Sequence, residues 1–354
     1  MSLIKITDVT KSYGNVQVIQ KFSETFKDRE FITLLGPSGC GKTTILRMLA
    51  GFEKPNTGEI KIDDVVVNGK NEFVPPNERK IGMVFQSYAV WPHMNVFENV
   101  AYPLKIQGVS KKEIRERVNE ILDSVHLSQY LNRMPNESSG GQQERVALGR
   151  ALVSKPKVLL LDEPLSNLDA KLRETMRFEI KDLQKKFGIT VVYVTHDQNE
   201  AMAMSDRIIV LNRGVVQQVD SPINIYKNPV NQFVADFVGK INFIKGNAFE
   251  NKIEFSEGQF MNYNGDKRGK IVLSIRPENM RISSEKGILH GKILHYYYLG
   301  DVKDFRIDIN GVILRVILSG SANIEKTVGD EVFLDFDDYL VFEDDENDST
   351  KILT

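Results

Sequence analysis

Nine residues make the first chemical statement in this sequence: Gly36-Pro37-Ser38-Gly39-Cys40-Gly41-Lys42-Thr43-Thr44. Their spacing is G-x-x-x-x-G-K-[ST]. The glycines leave backbone N–H groups free to wrap a phosphate chain, and a helix N-terminus adds the positive end of its dipole. Lys42 reaches the outer phosphates and the Thr43 hydroxyl ligates Mg²⁺. The flanks supply the context such a loop requires: Glu30 to Leu35 reads as a buried strand, and Thr44 to Ala50 as a helix stopped by Gly51. An ordinary Gly-rich turn has no need of that strand and that helix. Cys40 is the one cysteine of the chain and reads as a small filler inside the loop. No disulfide can form within the chain, which fits a reducing compartment.

A second group of reactive residues sits at the ends of apolar runs. Asp162 and Glu163 follow Lys157 to Leu161, and His196 follows Ile189 to Val194. An acidic pair at a strand end facing a phosphate loop is what a Mg²⁺-nucleotide site needs; the plain alternative is a helix cap or a salt bridge. For His196 alone the plain alternative is a structural hydrogen bond. Ser139-Gly140-Gly141-Gln142, taken by itself, reads as a Gly-Gly turn capping a helix. Tyr13, in a turn region from Lys11 to Asn15, reads by spacing as packing over a sheet edge.

The elements that must position these groups alternate along the chain. Leu3 to Ile6 and Val16 to Phe26 read as strands and Glu59 to Ile62 as another, with a turn at Pro55 to Gly58. Ile81 to Phe85 is a short apolar run ending at Gln86. The following segment, Ser87 to Met94, is rich in aromatics and holds the only Trp; it reads equally as a strand exit packed into the protein and as a docking surface. From Ser110, residues Ile114, Val118, Ile121, Leu122 and Val125 form one helical stripe, and helix resumes from Gln142 to Val153. A further amphipathic helix carries Leu172, Met176, Ile180, Leu183 and Phe187 up to Gly188. Strand, helix and strand in repetition predict a parallel sheet with right-handed crossovers, whose chemistry gathers at the carboxyl ends of the strands. From about residue 240 the texture becomes short β-like runs without helical period, predicting a separate small β-barrel domain. Asp335 to Asp348 is acidic without Lys or Arg and reads as a solvated tail.

At 354 residues, 41% hydrophobic and 27% charged, the chain has room for two or three domains and a substantial core. A net charge of −2 gives no global basic field, so nucleic acid is not an expected partner. The first residues do not have the pattern of a signal peptide. Nowhere do ~18 or more apolar residues run together, so any service to a membrane is expected from its side.

Order and content together resemble the ATP-binding cassette ATPases over nearly all of residues 1–237, with a helical subdomain at about 87–156. The resemblance implies an α/β fold: a P-loop NTPase cassette with a mainly parallel sheet and an antiparallel β edge, then a small all-β OB-like barrel domain over 238–354. It implies that ATP is cradled by Gly36, Pro37, Ser38, Gly39, Cys40, Gly41, Lys42, Thr43 and Thr44, with Tyr13 stacked on adenine. Mg²⁺ is held by Thr43, Gln86 and, through water, Asp162, while Glu163 polarises the attacking water and His196 contacts the γ-phosphate. Ser139, Gly140, Gly141 and Gln142 resemble the signature that touches ATP held by a second copy, and Asp169 lies in a loop, Ser166 to Asp169, that communicates across the dimer. Catalytic roles thus fall to Glu163, His196, Lys42 and Gln86. Ser138 stands where the family pattern has Leu, which bears on the packing of the signature helix.

The β-rich tail, with Leu273 to Glu278 and Tyr298 to Asp301, resembles that of importer ATPases serving sugars, polyamines, ferric iron and phosphonates. The implied assembly is a homodimer with two transmembrane permease subunits and an extracytoplasmic solute-binding protein, peripheral on the cytoplasmic face of the inner membrane. Residues 87–94 and 142–145 lean toward ferric iron or polyamine as solute. The competing class, a soluble cassette ATPase acting on DNA or ribosomes, is set against the lack of an inserted coiled coil and of a second cassette.

Overall fold

In the computed structural model, which describes residues 4–255 and 259–344, the chain divides between Ile225 and Tyr226 into two compact units. The first runs through β1 (Ile4–Tyr13), β2 (Val16–Phe26), β3 (Phe31–Leu35), α1 (Lys42–Ala50), β4 (Thr57–Ile62), β5 (Val65–Asn68) and β6 (Ile81–Val84). It continues with α2 (Val96–Ile106), α3 (Lys111–Ser124), α4 (Gly140–Leu152), β7 (Val158–Asp162), α5 (Ala170–Phe187), β8 (Thr190–Thr195), α6 (Gln198–Met204), β9 (Arg207–Asn212) and β10 (Val215–Asp220). Strands β2-β1-β4-β5 make an antiparallel sheet. Strands β10-β9-β3-β8-β7-β6 make a second sheet that is parallel except for β10.

The two-residue period of a strand divides the buried strands between two cores. Ile32, Leu34, Leu160, Val192 and Val194 face a core shared with α1 and the antiparallel sheet. Phe31, Leu159, Leu161, Val191 and Tyr193 face the opposite way, into the helices α2 to α5. Both faces are covered, which is why these strands read as continuous apolar runs.

Three elements of this first unit differ from the sequence reading. Helix α2 occupies residues that the reading left unassigned, despite Pro103 inside it. Its start was legible, because Asn95 and Glu98 form a reciprocal capping box at 2.8 and 3.1 Å. Its buried stripe is Val96, Val100, Ala101 and Leu104. Tyr13 is the last residue of β1 rather than part of a turn. Gly140 and Gly141 are the first turn of α4, not a turn before it.

The second unit takes up part of α7 (Pro222–Lys227), then α8 (Gln232–Phe237), β11 (Asn242–Phe249), β12 (Lys252–Glu254), β13 (Phe260–Asn262), β14 (Gly269–Ile275) and β15 (Met280–Ser283). It ends with β16 (Leu289–Tyr298), β17 (Val302–Ile309), β18 (Val312–Ser319), β19 (Glu331–Phe336) and β20 (Leu340–Glu343). Two five-stranded antiparallel sheets, β13-β12-β11-β14-β20 and β15-β19-β16-β17-β18, share one apolar core. The acidic stretch from Asp335 is therefore not a tail as far as it is described: Phe336, Tyr339 and Val341 pack on that core, and Leu340–Glu343 pairs with β14. Its residues 345–348 lie outside the described residues. The motif from Leu273 to Glu278 ties the unit's entry to β14: buried Arg276 donates to the carbonyls of Ala235, Lys240 and Tyr226, and its guanidinium lies 4.1 Å over the Tyr226 ring.

Phe305 in β17 is fully buried and stacks on Tyr296 at 4.8 Å. Phe305→Ala is expected to destabilise the second unit by about 3–5 kcal/mol. Amide exchange in β16 to β18 will then lose protection before that in β3, β7 and β8.

Candidate functional site

Strand β3, buried along its whole length, delivers the chain to Gly36. A Cβ there would lie 2.3 Å from the Leu211 carbonyl oxygen and 2.7 Å from Cys40 Sγ, so the turn closes only on glycine. Gly41 has φ +105, and a Cβ on it would lie 2.4 Å from Ile19 Cδ1. Cys40 is buried and its thiol pKa is pushed up by that burial, so it is a poor nucleophile. Pro37, Ser38 and Gly39 form the accessible rim, and Thr43 and Thr44 follow half-buried in the first turn of α1. Gly41 brings no side chain to cap α1, which leaves the helix's N-terminal amides to an entering anion. Lys42 is buried, and its ammonium donates to the carbonyls of Gly36 at 2.8 Å and Pro37 at 2.9 Å. Both acceptors are neutral, so a phosphate oxygen competes for the ammonium on favourable terms.

Strand register assembles the rest. Leu35 pairs with Thr195 and Asp162 with Val194, which puts the ends of β3, β8 and β7 side by side. The Thr43 hydroxyl donates to Asp162 Oδ1 at 2.9 Å across that junction. Asp162 is buried; burial raises its pKa, and the Thr43 hydrogen bond works against the rise. Glu163 leaves β7 in the left-handed region, φ +46, with its amide bonded to the Val194 carbonyl at 3.0 Å. That turn aims its carboxylate at His196, whose Nδ1 lies 3.1 Å from Glu163 Oε2.

Magnesium prefers a few carboxylate or hydroxyl oxygens completed by phosphate and water. Thr43 Oγ1 and Asp162 Oδ1 are such a pair, already 2.9 Å apart. Among the described residues no group of three or more His, Cys, Asp or Glu is placed to hold a metal alone. The residues present therefore fit a metal that arrives with phosphate.

The other sequence candidates make their hydrogen bonds outside this junction. Gln86 is exposed beyond β6, and its carbonyl accepts from Asn167 Nδ2 at 2.9 Å, linking it to the 166–169 loop. Asp169 caps α5 by accepting from the Leu172 amide at 3.0 Å. Ser139 caps α4, its amide bonded to Gln142 Oε1 at 3.0 Å and its hydroxyl accepting from the Gln142 amide at 3.4 Å. A Cβ on Gly141 would lie 2.6 Å from Leu172 Cδ2, so that glycine lets α4 and the start of α5 approach closely. A Cβ on Gly140 would meet Leu168 Cδ2 at 3.5 Å, so Leu168 and Leu172 are the groups these two glycines lie against, and none is from the 36–44 loop. Tyr13 is 46% exposed, with the Lys11 ammonium 4.9 Å over its ring, so packing on the sheet edge does not consume it.

In the 87–94 segment the larger side chains turn inward while Ser87, Ala89, Pro92 and His93 stay exposed. Tyr88 is buried, Trp91 packs on Tyr102 at 4.4 Å, and the Arg150 guanidinium sits 4.5 Å over Trp91. Arg150, missed in the sequence, donates from α4 to the carbonyls of Tyr88 at 2.8 Å and Ala89 at 2.6 Å. Those two residues hold positive φ, +59 and +48, which no sequence signal announces for a Tyr or an Ala.

Gly36→Ala must displace a backbone carbonyl, and it is expected to weaken binding of a fluorescent ATP analogue by about tenfold or more, ~1.4 kcal/mol. Equilibrium titration of the purified variant checks this.

The sequence pattern of the ABC transporter family matches residues 19–166, and that of the TOBE domain residues 273–342. The chain is 45% identical over 342 residues to the spermidine/putrescine import ATP-binding protein PotA of Nitrosospira multiformis, covering 91% of this chain and 92% of that one. It is 49% identical over 298 residues to the trehalose/maltose import ATP-binding protein MalK of Thermococcus litoralis, covering 83% and 77%. It is 43% identical over 331 residues to the sn-glycerol-3-phosphate import ATP-binding protein UgpC of a Ruegeria species, covering 93% of each. Among solved structures, the ATP-binding cassette MJ0796, as a dimer in a post-hydrolysis state bound to ADP and Pi, matches with a TM-score of 0.56 and 36% identity over 62% of this chain and 98% of that one. The chain belongs to the ABC transporter family, as an import ATPase whose cassette works on ATP with Mg²⁺ and is followed by a TOBE domain.

Proposed function

We propose that the chain is the ATP-hydrolysing subunit of a polyamine importer, working as a homodimer on the cytoplasmic face of the membrane. Its partners are two permease subunits and an extracytoplasmic solute-binding protein. No helix among the described residues is long and apolar enough to cross a membrane, so the solute's path belongs to those partners. The observation that carries the hydrolytic role is the junction of β3, β7 and β8, where Lys42, Thr43, Asp162, Glu163 and His196 come from three adjacent strand ends. The separation of Ser139 to Gln142 from that junction supports a second copy as the source of the missing wall, as does the dimeric state of MJ0796. The lean to polyamine rests on relatives: of the two sequences matched almost end to end, PotA is 45% identical and UgpC 43%, while the MalK sequence is matched over 77% of its length. Ferric iron, expected beside polyamine from residues 87–94 and 142–145, has no such support, and sugar stands second.

In this reading Lys42 exchanges its loop carbonyls for phosphate oxygens, and the uncapped amides of α1 take the remaining negative charge. Thr43, Gln86 and Asp162 would hold Mg²⁺, which would supply charge neutralisation for the phosphoryl group. Glu163 polarises the attacking water, and His196, bonded to it, fixes its direction. Tyr13 offers an open ring face for adenine. The Gln86–Asn167 bond joins the two segments through which closure is passed on.

Glu163→Gln is expected to lower ATP turnover about 100-fold or more while ATP binding survives, and to accumulate an ATP-bound dimer on size exclusion. A variant with parental turnover would remove Glu163 from the role given to it. For the solute, a deletion strain complemented with the chain should regain uptake of labelled spermidine; regained uptake of maltose or ferric iron instead would reassign it.

A further inference from the structure

Behind the strand ends that carry Glu163 and His196 lies a buried set of ionisable side chains that the hydrolytic roles above leave unused. At its centre is Glu144, on α4 two residues past Gln142. It has no exposed surface, and neither of its carboxyl oxygens has a hydrogen-bond partner among the described residues. The hydroxyl of Tyr88, from the segment after Gln86, is buried and partnerless in the same way.

The charged and titratable groups that face Glu144 are Tyr88, Arg145 of α4 itself, Glu179 of α5, Tyr193 of β8 and Glu200 of α6. The charges among them are already matched. Arg145 Nη2 holds Glu179 Oε1 at 2.6 Å. Arg173 and Arg177 reach Asp197 Oδ2 at 3.5 and 3.6 Å, and Arg173 Nε lies 4.0 Å from Glu200 Oε1. Three guanidinium groups thus balance Glu179, Asp197 and Glu200. An ionised Glu144 would be a fourth carboxylate with no cation left, which a buried site resists strongly. Burial first, then the charge of Glu179, pushes its carboxyl pKa up to about 9.

Two hydrogen-bonded networks lie within reach of its charge, one at Tyr88 and one at Glu200. The Arg150 bonds hold the positive-φ residues Tyr88 and Ala89 from the far end of α4. Glu200 Oε2 accepts from the hydroxyls of Tyr193 at 2.8 Å and Thr195 at 2.6 Å, and Thr195 Oγ1 accepts from the Asp197 amide at 2.9 Å, bracketing His196. We propose that Glu144 is a positioning residue for ATP hydrolysis that acts as the neutral acid, seating α4 against the Tyr88 segment and the Thr195–Asp197 turn. Losing its proton sets it against Glu179 and Glu200 and unseats the helix that begins with Ser139 to Gln142.

The proton has a sign in stability. The folded carboxyl holds it to higher pH than the unfolded one, so between an ordinary glutamate's 4.5 and about 9 the folded state binds one proton more and loses stability as pH rises. Glu144→Gln, neutral at every pH, lacks that loss.

The proposal rests on the hydrolytic reading, so two readouts are needed on the full-length protein. In thermal unfolding from pH 5.5 to 8.5, the parent is expected to lose stability relative to Glu144→Gln; parallel slopes would overturn the buried proton. In ATPase assays at pH 7.5, Glu144→Gln should stay within about twofold of the parent in kcat and KM, whereas Glu144→Ala loses about tenfold in kcat with KM for MgATP unchanged. At pH 10, where the carboxyl is expected to give up its proton, Glu144→Gln should exceed the parent in kcat severalfold. A Gln variant as slow as the Ala variant at pH 7.5, or matching the parent at both pH values, would overturn the role. A parent without ATPase activity would sink the hydrolytic reading, while the unfolding slopes would still decide the proton.

Discussion

Everything in the candidate site depends on the register of three parallel strands. Leu35, Asp162 and Thr195 are the last residues of β3, β7 and β8, and the pairing Leu35–Thr195 and Asp162–Val194 brings their ends level. That register is held from both sides, because alternate residues of each strand belong to different cores. A slip by one residue would exchange the two faces and cost the burial of both. The phosphate loop, the acidic pair and the histidine are therefore placed by apolar side chains that take no part in the chemistry.

The polar groups at the junction are held loosely by design of their partners. Lys42 is satisfied by neutral carbonyls, Asp162 by a hydroxyl, and Glu163 by an imidazole, and each contact is weaker than a full ion pair. Strong ion pairs sit further back, between Arg145 and Glu179 and between Arg173, Arg177 and Asp197. The arrangement keeps the front of the site free to exchange partners and the rear fixed. Glu144 differs from these pairs: both of its carboxyl oxygens are buried without a hydrogen-bond partner among the described residues, as is the Tyr88 hydroxyl.

The second unit is built on a different principle. Its two sheets enclose a single core of Ile, Leu, Val and Phe, with Arg276 rather than a metal or disulfide fastening the entering chain by three carbonyls. Glycine and turn residues punctuate its strands, and the match to the TOBE domain covers most of it.

By itself the sequence determined the phosphate loop, the acidic pair, the parallel sheet and the change of texture near residue 240, because each is a local pattern: fixed spacing, a buried apolar run, or loss of helical period. It also carried an unread signal for α2, since the Asn95–Glu98 box was visible while Pro103 argued against a helix that tertiary packing of Val96, Val100 and Leu104 then secures. The acidic character of residues 335–343 hid β20 and the end of β19, whose apolar residues find a core only once β14 and β16 are in place. Positive φ at Glu163, Tyr88 and Ala89, the grip of Arg150 and the buried carboxyl of Glu144 were decided by the tertiary structure alone. Each depends on which groups distant segments bring to one place, and no spacing along the chain encodes that.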